Sequence, residues 1–183
     1  DRTTYDPTEH GLIIERAKDA EVIFTNKTPI TKEVLAGLPN LKYIGVLATG
    51  YNVIDVQAAK ERGVIVTNIP NYGMDAVAQM VFALLLELTN RVGAHSDAVR
   101  RGDWTNHIDW CFWNFPLVEL LNKKIGIIGY GNIGQATSRI AQAFGMKVLA
   151  YNRTPKKELE NDNVKLVELD QLYTESDIIS LHC

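Results

Sequence analysis

Lys124-Ile-Gly-Ile-Ile-Gly-Tyr-Gly-Asn-Ile-Gly-Gln135 places a β-branched run directly ahead of Gly129, Gly131 and Gly134. Three glycines in the order G-x-G-x-x-G are weak evidence alone, so the flanks decide the reading. Ile125, Ile127 and Ile128 suit a central parallel strand. Beyond the glycines, Ile133, Ala136, Thr137, Ile140, Ala141 and Phe144 recur at helical spacing. Lys147-Val-Leu-Ala-Tyr151 then reads as a second strand and closes a βαβ unit. In such a unit the first glycine permits the tight turn, the second lets backbone approach a pyrophosphate, and the third lets helix and strand pack closely. The stretch predicts a dinucleotide site at a helix N-terminus, where free N–H groups and the helix dipole favour phosphate.

The end of the second strand bears on which dinucleotide is held. An NAD-type site wants Asp or Glu there, bonded to the ribose 2′-hydroxyl. Here Tyr151 is followed by Asn152, Arg153 and Thr154. No carboxylate stands at that place to repel a 2′-phosphate, and Arg153 can pair with one. The pattern favours NADP over NAD, with dual use open. The alternative is a solvated turn in which Asn152 accepts the ribose hydroxyl.

The 183 residues are 46% hydrophobic with a net charge of −3, enough for one large domain or two small ones. That charge gives no support for nucleic acid or an anionic membrane as partner. Cys111 and Cys183 are the only cysteines and lack metal spacing, so no disulfide framework or metal site is expected. The most apolar run, Met80-Val-Phe-Ala-Leu-Leu-Leu86, is too short to span a bilayer. With no signal peptide at the start, a cytoplasmic location is the expectation.

The first half of the chain has its own α/β rhythm. Strands are expected at 21–24, 42–47 and 64–66. Thr31 and Asp55 cap the intervening helices, and Gly63 ends the second of them. Strands alternating with helices predict parallel sheets with covered faces. A single long helix is expected from about Met74 to Arg100, apolar at Val77, Met80, Val81, Leu84, Leu85 and Leu88. Its length suits a connector, giving two α/β domains, 1–92 and 93–183.

Several linked motifs then agree. Thr49-Gly-Tyr-Asn-Val-Ile-Asp55, Ala58-Ala59, Gly63-Val-Ile-Val-Thr-Asn-Ile-Pro70 and Gly129-Tyr-Gly-Asn-Ile-Gly134 occur in order. Together they resemble the D-isomer-specific 2-hydroxyacid dehydrogenase family over essentially the whole chain. Cys111-Phe-Trp-Asn-Phe-Pro-Leu-Val-Glu-Leu120 further resembles its glycerate dehydrogenase (hydroxypyruvate reductase) branch. The resemblance implies a flavodoxin-like substrate domain and a Rossmann-type NAD(P)-binding domain, with the active site in the cleft between them. It implies that backbone amides at Thr49 and Gly50 hold the substrate carboxylate, as two fixed donors without a side-chain charge suit an anion. Thr49 and Val77 match positions near the nicotinamide, and Asn132 and Ile133 match positions whose backbone meets the pyrophosphate. The implied reaction interconverts a short D-2-hydroxy acid and its 2-oxo acid, such as glycerate and hydroxypyruvate or glycolate and glyoxylate.

In that family the substrate-binding Arg, the acid/base His and the Glu that tunes it all lie beyond the point matching Ser180-Leu-His-Cys183. No catalytic residue is therefore assigned within these residues. His182, at the end of the strand 177–181, matches a histidine that is not the acid/base, and Cys183 reads as a wall of the cofactor crevice. Strands at 125–128, 147–151, 164–167 and 177–181 make one mononucleotide-binding half plus one strand. The polar start Asp1-Arg-Thr-Thr lacks a leading strand. A longer enzyme is thus expected, with this chain marginal alone.

Trp104, Trp110, Phe112, Trp113 and Phe115 lie between the long helix and the glycine motif. In relatives this region is an arm against a second subunit, so a homodimer is expected, with packing into the domain core as the alternative. His10, His95 and His107 read as surface residues, and Lys156-Lys-Glu-Leu-Glu-Asn-Asp162 as a solvated charge run. A rival function is a dimeric dinucleotide-sensing module, like corepressor relatives, that binds cofactor without turnover.

Overall fold

The computed structural model describes residues 2–154 and 157–183; Asp1 and Lys156, which open the polar start and the charge run, lie outside them. The chain forms two compact units, 1–72 and 73–183.

In the first unit, β1 (Val22–Thr25), β2 (Tyr43–Val46) and β3 (Ile65–Thr67) form a parallel sheet in that order. Val22 pairs with Tyr43, and Tyr43 with Ile65. The helices are α1 (Ile13–Ala17), α2 (Lys32–Ala36) and α3 (Val56–Glu61). Thr31 starts α2 by accepting the Val34 N–H at 3.3 Å, and Asp55 starts α3 by accepting the Ala58 N–H at 2.9 Å. Gly63 ends α3 at φ +72°, where a Cβ would be strained. One face of the sheet is sealed by Ile13, Val34, Leu35, Leu38, Ala58 and Ala59 over Ile44 and Val46. The other is not covered among the described residues: Phe24 is 63% and Ile65 62% exposed. The expectation of two covered faces holds for one face of this unit.

The second unit carries β4 (Lys124–Ile128), β5 (Lys147–Tyr151), β6 (Val164–Leu166) and β7 (Ile178–Leu181), all parallel in the order β6-β5-β4-β7. This is the first half of a doubly wound sheet plus one strand across its switch point, as the sequence predicts. Its helices are α4 (Met74–Asn90), α5 (Val92–Arg100), α6 (Asn132–Ala143) and α7 (Leu169–Glu175).

Two expectations change here. The long helix is broken: Arg91 adopts φ +49°, and α4 and α5 meet at a bend of 60°. The Glu87 carboxylate accepts the Gly93 N–H at 3.0 Å, so a residue of α4 caps the first turn of α5. The unit boundary also falls at Tyr72/Gly73 rather than near residue 93. The reason is that α4 packs along α6, and Phe82 and Leu85 join Ile125, Ile127, Met146 and Val148 in one core. The Phe82 and Phe144 rings stack at 5.3 Å. The buried face of α4 is Ala78, Phe82, Leu85 and Thr89. Of the expected stripe only Leu85 is buried; Met80, Leu84 and Leu88 stand 58%, 60% and 72% exposed.

The aromatic segment does not enter the core: Trp110 is 88% exposed. It is tied down at two points. The Val118 N–H donates to the Thr89 carbonyl at 3.0 Å. His95 Nδ1 lies 2.9 Å from the Arg91 carbonyl, while its Nε2 accepts the Asn114 N–H at 3.2 Å. Those partners assign the proton to Nδ1. His95 is thus a half-buried clasp between helix break and arm, whereas His10 and His107 are exposed as expected. Among the described residues no single helix is long and apolar enough to cross a membrane, and no group of three or more His, Cys, Asp or Glu could hold a metal.

Candidate functional site

The glycine loop joins β4 to α6, and its three glycines differ in what surrounds them. Gly129 has φ +94°, and a Cβ there would lie 2.5 Å from the His182 carbonyl oxygen. It is needed where β4 and β7 leave the sheet side by side; the His182 N–H donates to the Ile128 carbonyl at 2.7 Å. A Cβ at Gly134 would overlap the Gly129 carbonyl oxygen, so the third glycine lets α6 seat against the loop. Gly131 has φ −82°, and a Cβ there would meet nothing of the chain within 4 Å. Its missing side chain leaves open space at the N-terminus of α6. No acidic residue stands in the first turn of that helix to repel an anion. Open backbone beside the N-terminus of a 12-residue helix fits a pyrophosphate, so the residues present fit an NAD(P) cofactor. Asn132 and Ile133 occupy that first turn, as expected.

Tyr130, between the first two glycines, turns inward and is 5% exposed. Its hydroxyl donates to Ser138 Oγ at 2.8 Å, and Gln142 Nε2 donates to the same oxygen at 3.1 Å. The loop is thereby pinned from behind by its own helix. The sequence offers no signal for this beyond a tyrosine where small residues would also serve.

Asn152 lies just past β5, where the specificity residue belongs, and clasps the loop. Its Oδ1 accepts the Tyr130 N–H at 2.8 Å, and its Nδ2 lies 3.3 Å from the Tyr130 carbonyl. The side-chain amide supplies both the acceptor and the donor. Arg153 and Thr154 are exposed. Beside Asn152 opens a cavity of about 460 Å³ with Arg153, Lys157, Glu160 and Glu168 on its wall. One carboxylate is already engaged, since Glu160 accepts the Leu166 N–H at 2.9 Å.

At the end of β7, His182 Nε2 lies 2.9 Å from Ser180 Oγ, and burial holds its pKa below the usual 6.5. Burial thus favours the neutral ring, which is engaged with a neighbour. Cys183 follows, exposed at the carboxyl end of the strand.

Thr49 and Gly50 belong to the first unit and are exposed after β2. The Thr49 hydroxyl donates to the Ile69 carbonyl at 3.0 Å, which leaves backbone as the free functionality. Among the described residues neither the Thr49 nor the Gly50 N–H has a hydrogen-bond partner. Val77 is in the second unit, 42% exposed in the first turns of α4.

The family model described as "D-isomer specific 2-hydroxyacid dehydrogenase, NAD binding domain" matches residues 82–183. The chain belongs to the D-isomer specific 2-hydroxyacid dehydrogenase family. Within it, the chain is 54% identical over 183 residues to a hydroxypyruvate reductase of Blautia hydrogenotrophica, covering 100% of this chain and 56% of that protein. It is 38% identical over 180 residues to a glycerate dehydrogenase of Methylorubrum extorquens, covering 98% and 54%. Among solved structures it is similar to an acyclic imino acid reductase (Bsp5) in complex with NADPH and D-Arg, at a TM-score of 0.76 and 35% identity, covering 98% and 56%. The chain spans about half the length of these family relatives.

Proposed function

We propose that the protein to which this chain belongs is an NAD(P)-dependent oxidoreductase that interconverts a short D-2-hydroxy acid and its 2-oxo acid. Hydroxypyruvate and glyoxylate are the substrates we favour. The observation that carries the reading is the glycine loop, whose one open side is at Gly131 and whose other glycines are filled by the fold itself. Likeness to proteins named hydroxypyruvate reductase and glycerate dehydrogenase supports the substrate class.

The nicotinamide, when bound, supplies or accepts the hydride. The chain's own share is to hold and orient. The N-terminus of α6 takes the pyrophosphate, and the Thr49 and Gly50 amides take the substrate carboxylate. Val77 lines the nicotinamide end and Cys183 the crevice wall. We assign the proton donor, with the substrate-binding Arg and its partner Glu, to positions of the longer protein beyond the point matching Cys183.

NADP is the favoured cofactor over NAD. Arg153 and Lys157 share the cavity beside Asn152, and one solved relative holds NADPH. Thr154, at the same corner, is a further candidate for the ribose side of the cofactor. The exposed apolar residues of α4 and of the arm, Leu84, Leu88, Trp110 and Trp113 among them, support a homodimer. A cytoplasmic enzyme acting on small molecules, without nucleic acid or membrane as partner, completes the reading.

The test is cofactor oxidation followed at 340 nm with purified full-length protein and hydroxypyruvate. Turnover with NADH or NADPH is expected. Its absence, with cofactor binding intact, would favour a binding module instead. Arg153→Ala is expected to raise the NADPH KM by about three- to tenfold more than the NADH KM. Equal effects would remove the argument for NADP.

A further inference from the structure

The strand-end loop that carries Thr49 and Gly50 is cross-linked to the segment after β3. The Ile69 N–H donates to the Ala48 carbonyl at 3.1 Å. From the residue before Ile69, the Asn68 side chain donates from Nδ2 to the Thr49 carbonyl at 2.8 Å. A trans peptide is planar, so its carbonyl and its N–H point in opposite directions. Holding the Ala48 carbonyl therefore fixes where the Thr49 N–H points, and holding the Thr49 carbonyl fixes where the Gly50 N–H points. Both carbonyls are drawn to the same segment, 68–69. Both amides are thus turned away from it, and neither has a partner among the described residues.

Two adjacent N–H groups left unbonded and exposed are costly unless water or an anion answers them. Of the two restraints one is backbone, indifferent to side-chain identity. The other is a single side chain. Gly50 has little conformational restraint of its own, and the Thr49 hydroxyl, which donates to the Ile69 carbonyl at 3.0 Å, tethers the residue without holding the peptide that joins it to Gly50.

We propose that Asn68 is a positioning residue: by holding the Thr49 carbonyl it aims the Gly50 N–H at the substrate carboxylate. This rests on the proposed function and adds to it a side chain that makes the anion site directional. Asn68 does not touch substrate in this account; it acts through the peptide plane. A positioned donor strengthens an ionic hydrogen bond because no reorientation is needed on binding.

The experiment compares full-length wild type, Asn68→Ala and Asn68→Asp, reading hydroxypyruvate KM and kcat, and NADH Kd by fluorescence. Asn68→Asp is nearly isosteric and loses the donor, so it decides the matter if Asn68→Ala fails to fold. The hydroxypyruvate KM is expected to rise about tenfold in Asn68→Ala, and further in Asn68→Asp, where a carboxylate would oppose the Thr49 carbonyl. NADH Kd is expected to stay within about twofold of wild type, a readout that general damage would move. An unchanged hydroxypyruvate KM overturns the proposal. So does a parallel loss of NADH affinity, which would make Asn68 merely structural. Failure of wild type itself to turn over hydroxypyruvate would instead sink the proposed function, and the positioning role with it.

Discussion

Gly134→Ala is expected to lose dinucleotide binding and to unfold more easily, whereas Gly131→Ala is expected to keep its stability and lose only affinity. The two glycines stand three residues apart in one motif, yet their surroundings separate them. A methyl at 134 would overlap the Gly129 carbonyl oxygen, which is backbone and cannot swing aside. Relief requires α6 to lift from the loop, at a cost of about 1–3 kcal/mol, as for other overpacked sites. Lifting α6 also moves the N–H groups that would face the pyrophosphate. At Gly131 the backbone is ordinary for any residue and the space is open, so the fold loses nothing. The methyl would instead project where a phosphate must approach. Thermal midpoints and NADH titrations on the full-length variants check this. A midpoint drop of several degrees is expected for Gly134→Ala alone, with NADH affinity reduced at least about tenfold in both. Equal midpoint losses would show that Gly131 is structural and not a cradle for ligand.

Asn152→Asp is expected to weaken binding of NADH and NADPH alike rather than to create a preference for NADH. A carboxylate at the end of the second strand is the usual device for NAD, so simple transfer of that rule predicts tighter NADH binding. The structure gives a reason against it. The Asn152 amide donates toward the Tyr130 carbonyl at 3.3 Å while accepting the Tyr130 N–H. A carboxylate keeps the second bond, loses the first and turns an oxygen toward a carbonyl. Losing that donor costs about 0.5–1.5 kcal/mol and loosens the loop that carries Gly131, so an affinity loss of up to about tenfold is expected for either cofactor. The same titrations, run with both nucleotides, decide it; a variant that binds NADH more tightly than wild type would return residue 152 to the ribose alone.

The strands and the glycine loop were legible because their signals are local: β-branched runs, capping Thr31 and Asp55, and glycines at fixed spacing. What escaped the sequence is what depends on a partner far along the chain. The apolar stripe on α4 was visible, but periodicity could not tell the face that packs on α6 from an equally apolar face that stays exposed. Ala78 and Thr89, which do pack, are small or polar and carry no weight in such a count. The break at Arg91 has no proline, and Gly93 follows it rather than marking it. The break is held by Glu87 and His95, whose partners are set by tertiary placement. Asn68 and Asn152 both sit in recognisable motifs, yet their amide bonds run to peptides 19 and 22 residues away.

The clasp that joins the glycine loop to the end of β5 is built from two neutral groups, the Asn152 amide and the Tyr130 peptide. Such a pair of dipoles offers little Coulombic attraction for salt to screen. Ionic strength should therefore act on cofactor affinity through the charges of the nucleotide and of the side chains beside it, Arg153, Lys157, Glu160 and Glu168, while the contour of the cradle stays the same.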